Sequence, residues 1–488
     1  MNKYCYILVI LLTSIIFPPI EAISQYEKMR FVENKNNDND KNDDLYKELS
    51  KLSIPIIRIT TENAEEPTCD YVSHPEGCVG ASITNATKVP SRMELIENGE
   101  IIYDSGDYIK KGSGLTIKIR GNTSAYKKKK SFKLKLQKKA DLLFRDGDSY
   151  KDKDWVLLNS GTTLNTKVGF WLSELIGLDY TPQSKLVNLF INDTYRGLYY
   201  LAESVSVNQG CRIDIDEDEG YVLEYDAYFW NEDISFPSHI GQAAMAFTYK
   251  YPDSEDVTEE MNQKISEDIW NIEDQIKNNN YVDVVDCMSV VRWLLGWDIL
   301  GSGDPAGTNI FIVKKDEDSK VKMGPMWDFD KAFEIRDRWP DVRVAPYFWF
   351  TPMIYSTDRT FMREYSKMWH EQGHSILDSL RKKIDYFEQS TEGTDYAKSL
   401  TIESQYSDYN EDGEEIASME TMIDDIIDFL DERQIWLDNN VANESYSGLD
   451  DVKLEYDDNK SAYDILGRPV GENYKGLVIK NHKKIIAK

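Results

Sequence analysis

Hydrophobic positions along the chain first alternate with polar ones and later recur every three or four residues. Residues 54–60 (IPIIRIT) predict a first strand, and 93–103 and 115–119 predict further strands separated by Gly/Asp turns. In 131–136, Phe132, Leu134 and Leu136 alternate with Ser131, Lys133 and Lys135. That is the period of a half-buried strand, and it puts Lys133 and Lys135 together on the polar face. Residues 154–158 (DWVLL) predict another strand. Val168, Trp171, Leu172, Leu175 and Ile176 have helical spacing, Gly177 closes that helix, and Glu174 lies off its apolar face. Residues 185–191 and 195–201 predict a hairpin around Asn192-Asp193, followed by a strand at 220–225. From Met261 the repeat is helical (Ile265, Ile269, Ile272, Ile276), and 281–300 predicts a second, more apolar helix. Further helices fall near 360–388 and 415–437. Strands early and helices late give an α+β order, with a sheet-rich first lobe, a helical second lobe and a junction near 203–225.

The ends read differently. Residues 1–22 carry Lys3, an apolar run and a small-residue site near Ala22, the pattern of a secretory signal peptide too short for a comfortable membrane span. No other long apolar run follows, so no stable membrane span is expected. Residues 23–52 include a stretch of almost only Asn, Asp and Lys, which predicts a disordered polar linker. With 41% hydrophobic and 12% aromatic residues the remainder supports a sizeable core. The net charge of −29 argues against a nucleic-acid partner, whose phosphates need basic surface. Beyond the leader stand Cys69, Cys78, Cys211 and Cys287. An exported chain permits bridges, Cys69–Cys78 closes a short Pro/Gly segment and is the expected pair, and Cys287 reads as a free thiol. Asn85, Asn122, Asn192, Asn443 and Asn459 stand in glycosylation sequons.

The candidate chemistry concentrates in residues 301–333, GSGDPAGTNIFIVKKDEDSKVKMGPMWDFDKAF. Asp304 lies in a Gly/Pro segment, Asn309 follows five residues on, then a short strand, and then Trp327-Asp328-Phe329-Asp330. Phosphoryl transfer from a nucleotide uses this kit: one carboxylate accepts the proton of the attacking hydroxyl, while an amide oxygen and a second carboxylate hold a divalent cation. The protein-kinase catalytic loop spaces its base Asp and metal Asn in the same way, with a metal-binding Asp on the next strand. The His-Arg before the base is missing here, and Asp-Phe-Asp replaces Asp-Phe-Gly.

Read in order, RGNTS (120–124), KKSFKLKL (129–136), DWVLLNS (154–160), LSELIGLDYTP (172–182), RGLYYLAESV (196–205) and GPMWDFDKAF (324–333) resemble the spore-coat-protein-H (CotH) kinase family. The resemblance spans about 53–440, within a domain placed at 53–445. It implies a diverged protein-kinase-like two-lobe fold and an ATP-dependent kinase acting on Ser/Thr hydroxyls of a protein substrate, on the cell surface or in the secretory route. It implies Asp304 as the catalytic acid, Asp328 as metal ligand and Lys135 as the strand lysine on the phosphates. Asn309 joins the metal by kinase spacing, with Asp330 in support. Glu174 is taken as the partner of Lys135 from the lysine-strand-then-helix order, and Trp327 as a nucleotide-packing ring. ATP with Mg²⁺ or Mn²⁺ is the implied cofactor set. Lys167 stands where the family's helix carries Arg, and Phe132 and Lys133 replace its strand Tyr and Arg. Residues 446–488 resemble a type IX secretion C-terminal sorting signal, which implies export to the surface.

Two other readings compete. His370-Glu371-Gln372-Gly373-His374 spells the H-E-x-x-H of a zinc metalloprotease, with Glu388 or Glu392 as third ligand, although Gly373 weakens the helix it needs. Alternatively the domain is a surface adhesin or interaction module whose catalytic site has decayed.

Overall fold

The computed structural model describes residues 38–241, 244–302, 308–334, 348–357, 359–406 and 416–441, together with strands within 462–487. The leader at 1–22 and Asp304 lie outside the described residues. Contacts divide the chain into two units, 1–442 and 443–488.

The first unit is built on strands β1 (Ile56–Thr61), β2 (Asp70–Ser73), β3 (Ala81–Thr84), β4 (Val89–Glu97), β5 (Glu100–Asp104), β6 (Leu115–Arg120), β7 (Ser131–Ala140), β8 (Asp152–Leu158), β9 (Ser184–Ile191) and β10 (Thr194–Glu203). Their order is β1-β9-β10-β8-β7-β6-β4, and β4 pairs back onto β1, so seven strands close a barrel with β5 attached outside. Only the β1–β9 pairing in the ring is parallel. Ile57, Ile117, Leu134, Trp155, Leu189 and Tyr199 are among the side chains that fill its interior. This corrects the expected protein-kinase-like two-lobe fold with its sheet-rich N-terminal lobe. The chain is mixed α+β, but its N-terminal part is a closed barrel. Alternation tells which face of a strand is buried and is silent on whether the sheet closes, because closure rests on pairings between residues far apart in sequence.

Other differences are local. The strand expected at 93–103 is two strands, β4 and β5, turned at Asn98-Gly99 with φ of 52° and 80°. Asn-Gly supplies the two positive φ angles that a tight hairpin turn demands. Part of the expected disordered linker is helical: Asp38–Leu49 buries Leu45 and Leu49 against Ile56, Phe190 and Ile402. Among the described residues the expected Cys69–Cys78 disulfide is not formed.

A second sheet, ordered β12-β13-β11-β14-β15, uses β11 (Tyr221–Asp226), β12 (Ser235–Pro237), β13 (Ala246–Tyr251), β14 (Ile310–Lys314) and β15 (Lys322–Met323). The helices Asn165–Leu175, Glu259–Lys277 and Cys287–Leu300 pack with it and with the outer side of β8 and β10 in one continuous core. The helix over 281–300 starts later than the spacing predicts, at Cys287, because Asp286 caps it by accepting from the Met288 and Ser289 amides. The second unit holds a four-stranded sheet formed by Ala462–Asp464, Pro469–Val470, Gly476–Lys480 and Lys483–Ala487. No helix among the described residues is long and apolar enough to cross a membrane.

Candidate active site

Asn309 closes the gap into β14, and Asp328 follows β15, so the β14–β15 pairing brings the two together. The Asn309 amide nitrogen lies 3.5 Å from an Asp328 carboxylate oxygen. Both residues have left-handed backbone, φ 61° and 68°. Asn and Asp are the non-glycine types that tolerate this conformation, and such residues gather at functional sites. Trp327 and Phe329 flank Asp328 and are 5% and 1% exposed. Phe329 stacks on Trp297 at 5.2 Å and meets Phe170 edge-on at 5.2 Å. Two anchored rings thus leave Asp328 and Asp330, the residues between and after them, on the accessible side.

The β11 strand supplies a second pair of acids. Leu223 and Tyr225 enter the core, and Glu224 and Asp226 take the opposite face by the two-residue period. Glu224 accepts from the Asn309 backbone amide (3.2 Å) and pairs with Lys250 (2.6 Å). The Thr308 hydroxyl donates to Asp226 (3.2 Å) and is 3.5 Å from Glu224. Burial, and then the neighbouring Glu224 charge, push the Asp226 carboxyl up to about 7. Glu224 and Asp226 therefore hold Thr308 and Asn309 in place just after residues 303–307, where Asp304 stands.

Opposite these acids stands Arg120, at the end of β6. Its guanidinium lies 5.7 Å above the Trp327 ring. Burial pulls its pKa down, while Asp328, Glu224 and Asp330 pull it up. It makes no hydrogen bond among the described residues. A cavity of about 40 Å³, lined by Arg120, Ser124, Ser160, Thr166, Asp328 and Asp330 among others, lies beneath it. That volume suits a water or two, so a nucleotide would have to lie across its mouth.

Not every expected residue joins this cluster. Asp330 lines the cavity and sits 3.5 Å from Lys127. Trp327 is a core ring covered by Arg120. Lys135 lies on β7 four residues beyond Ser131, about 13 Å along the strand from the Arg120–Ser131 pair. Its ammonium is paired with Asp154 at 3.0 Å. The expected Lys135–Glu174 pair is not formed: Glu174 accepts from Gln183 (2.8 Å) and lies 3.4 Å from Lys383. The reason is topological, since β8 rather than the helix Asn165–Leu175 is the strand beside β7. His370 and His374 fall on a π-helical turn, Trp369–Gly373, and its continuation. His370 is hydrogen-bonded to the Val441 carbonyl (3.1 Å) and His374 to Asp438 (2.8 Å), while Glu392 pairs with Lys167 (2.8 Å). The sequence reading passed over Arg120, Glu224 and Asp226 as site residues. The signal for the acids was present in the alternation Val222-Leu223-Glu224-Tyr225-Asp226, an apolar strand with carboxylates on one face.

The donor set near Asn309 consists of oxygens: Asp328, Asp330, Glu224, Asp226 and the Asn309 amide. Such donors fit a hard cation such as Mg²⁺ or Mn²⁺. Among the described residues no three His, Cys, Asp or Glu side chains form a metal-holding group by themselves. A cation bound by one or two carboxylates and completed by phosphate oxygens is how Mg²⁺ usually sits in phosphoryl-transfer sites. The arrangement sets carboxylates on one wall and Arg120 on the other, a pairing whose chemistry suits a polyphosphate with a divalent cation. The family model described as CotH kinase protein matches residues 117–437, more than half of the chain, and the chain belongs to that family. No curated protein matches it.

Proposed function

We propose that this chain is a secreted or surface kinase that transfers the γ-phosphoryl group of ATP to Ser/Thr hydroxyls of a protein partner. The observation that carries the reading is the meeting of Asn309 and Asp328 beneath Arg120, within a chain of the CotH kinase family. Asp304 accepts the proton of the acceptor hydroxyl as its oxygen bonds to the γ-phosphorus and the bond to ADP breaks. Asp328 and Asn309, supported by Asp330, hold Mg²⁺ or Mn²⁺. When bound between Asp328 and Asn309, that cation would supply positive charge against the phosphates. Arg120 binds phosphate oxygens with its fork of N–H donors. Glu224 and Asp226 fix Thr308 and Asn309, which keeps the ligand amide aimed at Asp328. The leader-like residues 1–22 and the sorting-like residues 446–488 support export.

The test is phosphate incorporation from labelled ATP with Mn²⁺, into the protein itself and into an acidic acceptor protein. Asp304→Ala and Asp328→Ala each abolish transfer. Asp328 is exposed but has left-handed backbone, so Asp328→Asn, whose amide tolerates that backbone, is the variant expected to lose transfer while keeping the wild-type melting temperature. Retained transfer in any of these variants refutes the role given to that residue, and no incorporation by wild type refutes the kinase reading.

A further inference from the structure

The strands β6 and β7 turn a row of cations outward. Leu115, Ile117 and Ile119 point into the barrel, so Lys118 and Arg120 share its outer face. Phe132 and Leu134 likewise point inward, which sends Lys133 outward. In the β6–β7 register Lys118 stands directly opposite Lys133, and Arg120 opposite Ser131. Like charges facing each other across an antiparallel pair are destabilising. The repulsion is only partly relieved. Lys133 reaches Asp154 at 3.3 Å, but Asp154 is also taken by Lys135 at 3.0 Å. Lys118 makes no hydrogen bond or ion pair among the described residues. Burial, then Lys133 and Lys88, pull its pKa down. Glu232 and Asp154 offset this only in part, since the net shift stays downward, and an anion laid across Lys118 and Lys133 relieves the remaining conflict.

We propose that Lys118, with Lys133 beside it and Arg120 about 7 Å further along β6, is the polyphosphate-binding strip of this protein, in place of Lys135. The inference rests on the nucleotide reading above only for the identity of the polyphosphate. The strip starts at Arg120, which lines the Asp328 cavity, and runs back along β6 to Lys118, so its Arg120 end is the one beside Asp328. Lys133 and Lys135 share the one Asp154 carboxylate; Lys135, two residues further from Arg120 along β7 and not opposed to Lys118, contributes little.

Inorganic tripolyphosphate, ATP and adenosine are titrated calorimetrically into the full chain and into Lys118→Met, Lys118→Arg and Lys135→Met. Thermal melts are recorded alongside. Wild type is expected to bind tripolyphosphate and ATP, more weakly as salt rises. Lys118→Met should weaken both by about tenfold, the effect of one charge-assisted contact. Lys118→Arg should restore most of the affinity, and Lys135→Met should change it by less than about twofold. Without ligand, Lys118→Met should melt no lower than wild type, because a repelled cation has gone. At equal concentration, tripolyphosphate should raise the melting temperature of wild type more than that of Lys118→Met. Unchanged binding in Lys118→Met, a larger loss in Lys135→Met, or no tripolyphosphate binding by wild type overturns the proposal. If Lys118→Met weakens tripolyphosphate binding as expected while wild type transfers no phosphate from ATP, the anion strip stands and the kinase reading falls.

Discussion

Gly169 provides a sharp test of how the Asp328 turn is held. It lies inside the helix Asn165–Leu175, and a methyl group at this position would fall on Cδ1, Cγ and Cε1 of the Phe329 ring. Phe329 cannot retreat freely, because Trp297 stacks on one side and Phe170 meets it edge-on. Gly169→Ala therefore forces the ring, and with it Asp328 and Asp330, out of position. Overpacking of this kind is unfavourable by about 1–3 kcal/mol. Replacing a helix-interior glycine with alanine returns about 1 kcal/mol. The net loss of stability is thus on the order of 0–2 kcal/mol, and the melting temperature falls by no more than a few degrees. Activity is far more sensitive, since moving a ligand by about 1 Å lowers a transfer rate on the order of a hundredfold. The assay pairs labelled-phosphate transfer with a thermal melt, for wild type, Gly169→Ala and the double variant Gly169→Ala/Phe329→Leu. The expected pattern is a large loss of transfer with a small loss of stability, and recovery of at least tenfold in the double variant. Wild-type transfer in Gly169→Ala, or a double variant no better than the single one, would show that Phe329 does not position Asp328.

Asp226 gives the protein a pH signature. Its folded pKa of about 7 stands above the unfolded value of about 3.9, so its contribution to stability is complete below about pH 4 and is lost as pH rises through 7. Urea melts should show wild type weakening by up to a few kcal/mol between pH 5 and 8 and Asp226→Asn weakening less; parallel curves would disprove the assignment. Glu403 joins the barrel to the helix Thr391–Tyr406 by pairing with the largely covered Lys129 (2.5 Å) and accepting from the Leu198 amide (2.6 Å). Glu403→Ala strands that cation and should lower stability by about 3–5 kcal/mol, whereas Lys129→Met/Glu403→Gln should recover much of it in denaturant titrations. Purified protein should carry no stoichiometric zinc by elemental analysis, and His370→Ala and His374→Ala should leave phosphate transfer intact; bound zinc lost in both variants would revive the metalloprotease reading.

Local pattern alone was enough for much of the chain. Alternation in 131–136 marked β7 and the outward face of Lys133 and Lys135, and helical spacing marked Asn165–Leu175 and Glu259–Lys277. Each of these is decided by which side chains a short segment must hide from water, and that information is contiguous. The order Asp304, Asn309, Asp328 likewise singled out the segment whose two described members meet. Tertiary structure alone decided the closure of the barrel through β1–β4 and the parallel β1–β9 pairing, because strand partners dozens of residues apart, and in β1–β9 more than a hundred, leave no mark on local periodicity. It also decided which cation faces the acids. Lys135 and Arg120 look alike as basic residues on polar strand faces, and only the register of β6, β7 and β8 gives Asp154 to the first and Asp328 as neighbour to the second. Charge acts through space, so its meaning is set by the fold that brings distant strands side by side.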